Sequence, residues 1–192
     1  SSPLVIVGRD TRPTGKAIAE AMLKVLAAKK IKVKYPGIIA APEIMAYGKK
    51  ASGFIYISAS HNPIGHNGIK FGLDDGGVLN GAENARLVKA LNEKLSSESE
   101  IRRIREILDE KKSFKTTESA QKAKVESKSA YLAFSKEVIS ASENPDSQKK
   151  LFSKIKESLA SNPLGIVADM NGSARTLSID TLIFKSCGIS YY

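Results

Sequence analysis

The chain has 192 residues, 42% hydrophobic and 26% charged, a balance that excludes a disordered or fibrous chain and gives length for one full core and part of a second. Its one cysteine, Cys187, excludes an internal disulfide and fits a reducing, cytoplasmic setting, and no apolar run approaches the ~20 residues of a membrane helix. The formal net charge of +10 raises nucleic-acid binding, but the excess lysines of 111–156 are interleaved with Glu and Ser and lack RNA-binding aromatics. Solvated helix faces account for them, so neither a nucleic-acid nor a membrane partner is expected. The same charge favours an anionic substrate through long-range attraction.

Pro3–Val7 is a short apolar run ending at Gly8, the mark of a buried strand. Gly8-Arg9-Asp10-Thr11-Arg12-Pro13-Thr14-Gly15 is a polar loop punctuated by Gly and Pro. Thr14 is the expected N-cap of a helix in which Ile18, Ala21, Met22, Val25 and Leu26 recur at helical spacing. A strand over Ile31–Tyr35 follows. Strand, helix, strand is the pattern of a sheet with helices packed on it. A helix is expected over Ala41–Lys50, and a buried strand over Gly53–Ile57. Gly68–Phe71 reads as another strand, Asp74-Asp75-Gly76-Gly77 as a turn, and Asn84, Leu87, Val88, Leu91 and Leu95 as an amphipathic helix.

From Ser96 to Ser161 the chain reads as helical with weaker signals. Ile101, Ile104 and Leu108 form one stripe; Leu151, Phe152, Ile155 and Leu159 form another. Lys112–Ser129 is poor in large apolar residues and is expected to be a mobile loop or weak helix, and Asn144-Pro145-Asp146 a turn. At Asn162-Pro163 the pattern resets. A strand over Leu164–Ala168, a polar exit and a helix over Ala174–Lys185 stopped by Gly188 open a further α/β unit. The expectation is one domain over 1–161, with 96–161 its helical or linking part, followed by the start of a second over 162–192. The fold class expected is α/β, a mixed sheet with helices on both faces. The chain starts on a strand-like segment and its ending, Cys187-Gly188-Ile189-Ser190-Tyr191-Tyr192, stops on an apolar strand-like segment, which reads as truncation at both ends.

The chemistry concentrates in Ile57-Ser58-Ala59-Ser60-His61-Asn62-Pro63, followed by Asn67-Gly68-Ile69-Lys70-Phe71. Ligands of α/β sheets bind beyond the carboxyl ends of strands, and this serine follows such an end. A serine there can be an acyl nucleophile or a phosphoryl carrier. The first needs a base aimed at the hydroxyl; His61 is its direct neighbour and diverges from it, His66 sits on a flexible loop, and no Gly-x-Ser-x-Gly elbow is present. The second needs cations and amides around the phosphoryl group, and Lys70 and His61 are in reach by sequence. Taken singly, a turn serine, a loop histidine and a solvated lysine are ordinary; it is the combination that points to chemistry.

Ser-Ala-Ser-His-Asn-Pro with Asn67-Gly68-Ile69-Lys70 resembles the active-serine loop of the α-D-phosphohexomutases, the phosphoglucomutase/phosphomannomutase family. Gly8-Arg9-Asp10-Thr11-Arg12 resembles that family's first loop, and Leu164–Gly172 the start of its second domain. The resemblance implies transfer of a phosphoryl group between O1 and O6 of a hexose phosphate, through a phosphoserine and a hexose bisphosphate. It implies Ser60 as the phosphoserine, Lys70 as general acid/base, and His61 beside the phosphoserine. Asn62 and Asn67 shape the site, and Arg9 and Asp10 support it. It also implies Mg²⁺, bound in part through the phosphate on Ser60. The family's Asp-Gly-Asp-x-Asp metal loop and its late sugar-binding loops do not occur in this sequence. The expectation is therefore an inactive fragment of an active enzyme. A non-catalytic sugar-phosphate-binding or protein-interaction module is the alternative, and a nucleic-acid binder the next. The hexose and the oligomeric state are left open.

Overall fold

The computed structural model describes residues 2–110 and 114–192. Four strands form one mixed sheet: β1 (Leu4–Arg9), β2 (Lys32–Ile38), β3 (Gly53–Ile57) and β4 (Ile69–Gly72), in the order β2-β1-β3-β4. β1 runs parallel to β2 and β3, and β4 runs antiparallel to β3. The pleat sorts the apolar residues by parity. Ile6, Phe54 and Tyr56 face one side, where they meet Ile39, Ile44 and Tyr47. Val7 and Ile57 face the other, where they meet Ala19 and Leu23. Helices α1 (Gly15–Ala28) and α2 (Ala41–Gly48) therefore cover opposite faces, as the alternation of the strands requires.

Several boundaries differ from the sequence reading for physical reasons. β2 runs on through Pro36-Gly37 because it is an edge strand, where a missing N–H costs no ladder bond. The register between β1 and β2 shifts there, and Gly37 takes φ 73°. Thr14 does not cap α1: its own backbone is already helical, and its hydroxyl accepts from Asn67 Nδ2 at 2.7 Å.

The largest departure is the stretch expected to be a mobile loop or weak helix. Residues 112 and 113 of it lie outside the described residues, but from Ala120 it is the 21-residue helix α5 (Ala120–Ser140). Preceding it are α3 (Gly81–Leu95) and α4 (Glu98–Asp109), and following it α6 (Pro145–Ser161). The face α5 buries is made of Ala123, Ser127 and Ala130. Small residues allow helices to approach closely, so their burial leaves no large-apolar stripe to read. The turn expected at Asn144 is the N-cap of α6, where the Asn144 side chain accepts from the Asp146 and Ser147 amides.

The strand expected over Leu164–Ala168 is shorter. Only β5 (Gly165–Ile166) pairs, in parallel with β6 (Ser190–Tyr191). The expected single helix is a 3₁₀ turn over Ala174–Leu177 followed by α7 (Asp180–Cys187). Gly188 ends α7 at φ 75°, as expected of a left-handed cap.

Candidate functional site

The parallel register brings three strand exits to one edge of the sheet. Arg9 pairs with Ile38 on one side and with Ile57 on the other. The Asp10–Pro13 loop, the Ala40–Pro42 entry to α2 and the Ser58–Asn62 loop thus emerge side by side. The helices after β1 and β2 leave to opposite faces, which opens a crevice between those exits. A cleft of ≈ 820 Å³ lies here, within the range of small-ligand sites. Asp10, Arg12, Ser60, His61, Asn62 and Lys70 line it, together with Asn171–Arg175 from the loop after β5. Its charged side chains are Arg12, Lys70 and Arg175 against Asp10 alone, a balance suited to an anionic ligand.

Ser60 is exposed, three residues past the end of β3, and holds φ 55°. A left-handed backbone is costly for a residue with a Cβ, so its surroundings must hold it. The Ser60 amide donates to Ser58 Oγ at 3.2 Å, and the Asn62 amide to the Ala59 carbonyl at 3.0 Å. The Ser58 amide donates to the Gly68 carbonyl at 2.9 Å, tying the loop to the segment that leads into β4. A Cβ on Gly68 would lie 2.7 Å from the Ser58 carbonyl oxygen, so only glycine permits this approach.

Arg12 closes the arrangement. Its guanidinium donates to the carbonyls of Ser60 at 3.1 Å and Asn62 at 2.6 Å, and it is ion-paired with Asp10. Asp10 in turn accepts from the Arg12 amide at 3.0 Å. Sequence reasoning placed the supporting role on Arg9 and Asp10; the residue that reaches the serine loop is Arg12, whose position in the Asp-Thr-Arg turn was the available signal. Arg12→Ala is expected to leave two loop carbonyls without their side-chain donor and the buried Asp10 carboxylate with the residue-12 amide but without its ion pair. The expected loss is about 1–3 kcal/mol in urea unfolding, with faster amide exchange at Ser60–Asn62 than elsewhere.

Lys70 stands on the second residue of β4, directly opposite Tyr56 of β3, and its Nζ donates to Ser60 Oγ at 2.8 Å. Ser60 and Lys70 are therefore brought together, with His61 and Asn62 on the same cleft. Arg9 and Asn67 do not line the cleft: Arg9 donates to the Asp10 carbonyl at 3.1 Å, and Asn67 holds Thr14.

Residues 1–98 match the family model described as phosphoglucomutase/phosphomannomutase, alpha/beta/alpha domain I, just over half of the 192 residues. The chain belongs to the phosphoglucomutase/phosphomannomutase family. It is 47% identical over 77 residues to a phosphoglucosamine mutase of Lacticaseibacillus casei, covering 38% of this chain and 17% of the relative. It is 38% identical over 94 residues to that of Staphylococcus haemolyticus, covering 47% and 21%. A solved phosphomannomutase-type protein of Thermus thermophilus aligns at 35% identity over 43% of this chain and 20% of its own, with a TM-score of 0.41. The chain thus spans about a fifth of the length of the curated relatives it matches. The Ser58–Lys70 segment lies inside the matched part; the Asn171–Arg175 loop lies beyond it.

Tyr56, two residues before Ser58, also lines the cleft. Burial pushes its phenol up to about 12, partly offset by a hydrogen bond with Ser58. A raised folded-state value means stability that is complete below the unfolded tyrosine value of ~10 and is lost as pH rises toward 12. Stability from urea melts should fall less steeply in Tyr56→Phe than in the wild type across that interval; equal slopes would show that Tyr56 does not titrate there.

The side chains of the described residues do not make a Mg²⁺ site. Among the described residues no group of three or more His, Cys, Asp or Glu converges. Asp74 and Asp75 sit in the turn after β4, away from the cleft lining, and Mg²⁺ requires near-octahedral oxygen ligands.

Proposed function

We propose that this chain is the phosphoryl-carrying part of a hexose phosphate mutase, which moves a phosphoryl group between O1 and O6 of a hexose through phosphoserine at Ser60 and a hexose bisphosphate. The observation that carries this reading is the 2.8 Å contact between Lys70 Nζ and Ser60 Oγ at the mouth of a net-cationic cleft.

In the forward step a sugar hydroxyl oxygen attacks phosphorus. The new P–O bond to the sugar forms as the bond from phosphorus to Ser60 Oγ breaks. Lys70 is placed to give Oγ a proton as it leaves and to take it back in the return step; the proton lost by the attacking hydroxyl balances it through solvent. The return step transfers the other phosphoryl group of the bisphosphate to Oγ, restoring phosphoserine. Charge stabilisation matters more here than a strong base; Lys70, in contact with Ser60 Oγ, and His61, on the same cleft, are the groups proposed to supply it. Arg12 holds the loop and acts through position.

The family implies Mg²⁺, with an oxygen of the Ser60 phosphate as one ligand. Its remaining ligands, and the groups that select the sugar, would come from outside these 192 residues. The chain alone is accordingly proposed to be inactive, with hexose phosphates and bisphosphates as the whole enzyme's ligands and the cytoplasm as its setting. Peptide mapping after incubation of the enzyme, at the length of its relatives, with a hexose bisphosphate tests the reading. The expected result is one phosphoryl group on Ser60; phosphate on Ser58 alone would overturn it.

A further inference from the structure

The contact between Ser60 and Lys70 joins two parts of the chain that are held differently. Lys70 belongs to the ladder of β3 and β4, which sets it opposite Tyr56. Ser58 extends that ladder past the end of β3, since its amide donates to the Gly68 carbonyl at 2.9 Å. Ser60 lies beyond the ladder, in the turn, at φ 55°. A side chain spans the step: Ser58 Oγ accepts from the Ser60 amide at 3.2 Å. Ser58 is thus fixed by its backbone to the segment that carries Lys70, and by its hydroxyl to Ser60.

Two peptide planes flank Ser60, and only φ and ψ relate them. Ser58 Oγ holds the N–H of the first, and Arg12 holds the carbonyl of the second at 3.1 Å. With both planes held, the direction of the Ser60 Cβ is set, and χ1 alone brings Oγ to Lys70 Nζ. Without the Ser58 hydroxyl the first plane is free to turn, and a residue with a Cβ relaxes out of the left-handed region. The two serines of the loop therefore differ in kind. Ser58 is buried, and its hydroxyl is shared between the Ser60 amide and the Tyr56 phenol. Ser60 is exposed, and its hydroxyl meets the lysine.

We propose that Ser58 is a positioning residue for transfer at Ser60: its hydroxyl ties the Ser60 amide to the strand ladder that carries Lys70, and so holds Ser60 Oγ beside the lysine. The effect on rate rests on the phosphoryl-transfer reading; the tie itself rests on the loop geometry alone. The Ser58 hydroxyl acts through the alignment of Ser60, so its loss lowers the rate of the chemical step and leaves ligand affinity as it is.

The test compares Ser58→Ala and Ser58→Thr in the enzyme at the length of its relatives. Ser58→Ala is expected to slow phosphoserine discharge to a hexose phosphate by about 10²-fold, the effect of moving a reacting atom by ~1 Å. Its kcat and kcat/KM should fall together, because KM does not depend on the tie. Ser58→Thr keeps the hydroxyl and should restore the rate. Where alanine does not fold, Ser58→Cys has nearly the volume of serine but a weak acceptor, and should be as slow. A merely structural serine would lower the amount of folded enzyme without lowering kcat per folded molecule. NMR of the 192-residue chain reads the tie without any transfer. The strong amide-to-Hα contact within Ser60 that marks a positive φ is expected to weaken in Ser58→Ala and to persist in Ser58→Thr. If Ser60 of the unaltered enzyme takes up no phosphoryl group while this contact still responds, the transfer reading falls and the tie stands. An undiminished kcat in Ser58→Ala, or in Ser58→Cys where alanine does not fold, would overturn the proposal. So would discharge in Ser58→Thr as slow as in Ser58→Ala, or a Ser60 that stays left-handed without the hydroxyl.

Discussion

Ser60→Ala is expected to abolish phosphoryl uptake and mutase turnover in the enzyme at the length of its relatives, while leaving the fold of this region as it is. The hydroxyl makes one side-chain contact in the described residues, to the exposed Lys70, so its removal strips no buried partner. The backbone restraints on the loop come from Arg12, Ser58 Oγ and the Gly68 carbonyl, and none of them needs Ser60 Oγ. Alanine keeps the Cβ, so the cost of φ 55° is the same in both proteins. Urea melts should agree to within ~0.5 kcal/mol, as for a surface change away from packed features. Lys70→Ala should behave differently. Ser60 still carries phosphate, but transfer slows by about 10²–10⁴-fold, the usual loss with a general acid/base. Burst measurements of phosphoserine discharge by hexose 6-phosphate separate the two: no burst in Ser60→Ala, and a slow one of full amplitude in Lys70→Ala. Full turnover in Ser60→Ala would remove the serine from the mechanism.

The reach of the sequence can be judged residue by residue. β1, β3 and the Ser60–Lys70 loop were legible because their signals are local: an apolar run, then a Gly- and Pro-marked exit. Even the convergence of the Asp10 and Ser60 loops follows from parallel strands of similar length. Arg12 was missed as the clamp because its partners, the carbonyls of Ser60 and Asn62, lie about fifty residues away and carry no side-chain signature. α5, expected only as a mobile loop or weak helix, is a full helix whose strength did not show because its buried face is Ala123, Ser127 and Ala130, and helical periodicity is legible chiefly in large apolar residues. The amphipathic helix α3 was legible as a helix, yet its stripe misleads about burial: Leu91 and Leu95 are more than half exposed in this chain.

The buried Glu43 was the deepest omission, and its removal should have the largest effect on stability. Glu43 is fully buried in the first turn of α2, where the helix dipole favours a carboxylate. Lys124 Nζ reaches it at 2.8 Å and Ser127 Oγ at 2.5 Å, both from α5; Ser178 Oγ reaches it at 2.6 Å from the turn before α7. One carboxylate therefore fastens α5 and the C-terminal unit to the same helix whose first residues, Ala41 and Pro42, line the cleft. Burial holds the Lys124 amine below its ordinary value, and the Glu43 carboxylate opposes that shift. Glu43→Ala leaves this cation and the buried Ser178 hydroxyl without their acceptor, while Ser127 Oγ keeps the Lys124 carbonyl at 2.9 Å, and the expected cost is about 3–5 kcal/mol, a large fraction of a typical domain's 5–15 kcal/mol. Glu43→Gln keeps an acceptor oxygen without the charge and should fall between. The double change Glu43→Leu with Lys124→Met removes both charges together and should recover much of the loss, because what destabilises is the unpaired partner. Hydrogen exchange should show where the damage goes: amides of α7 and of Asn171–Ser178 lose protection first in Glu43→Ala, since Ser178 is their tie to α2. A Glu43→Ala protein within ~1 kcal/mol of wild type in urea melts, with α7 still protected, would show that the carboxylate is not what holds the C-terminal unit against the cleft.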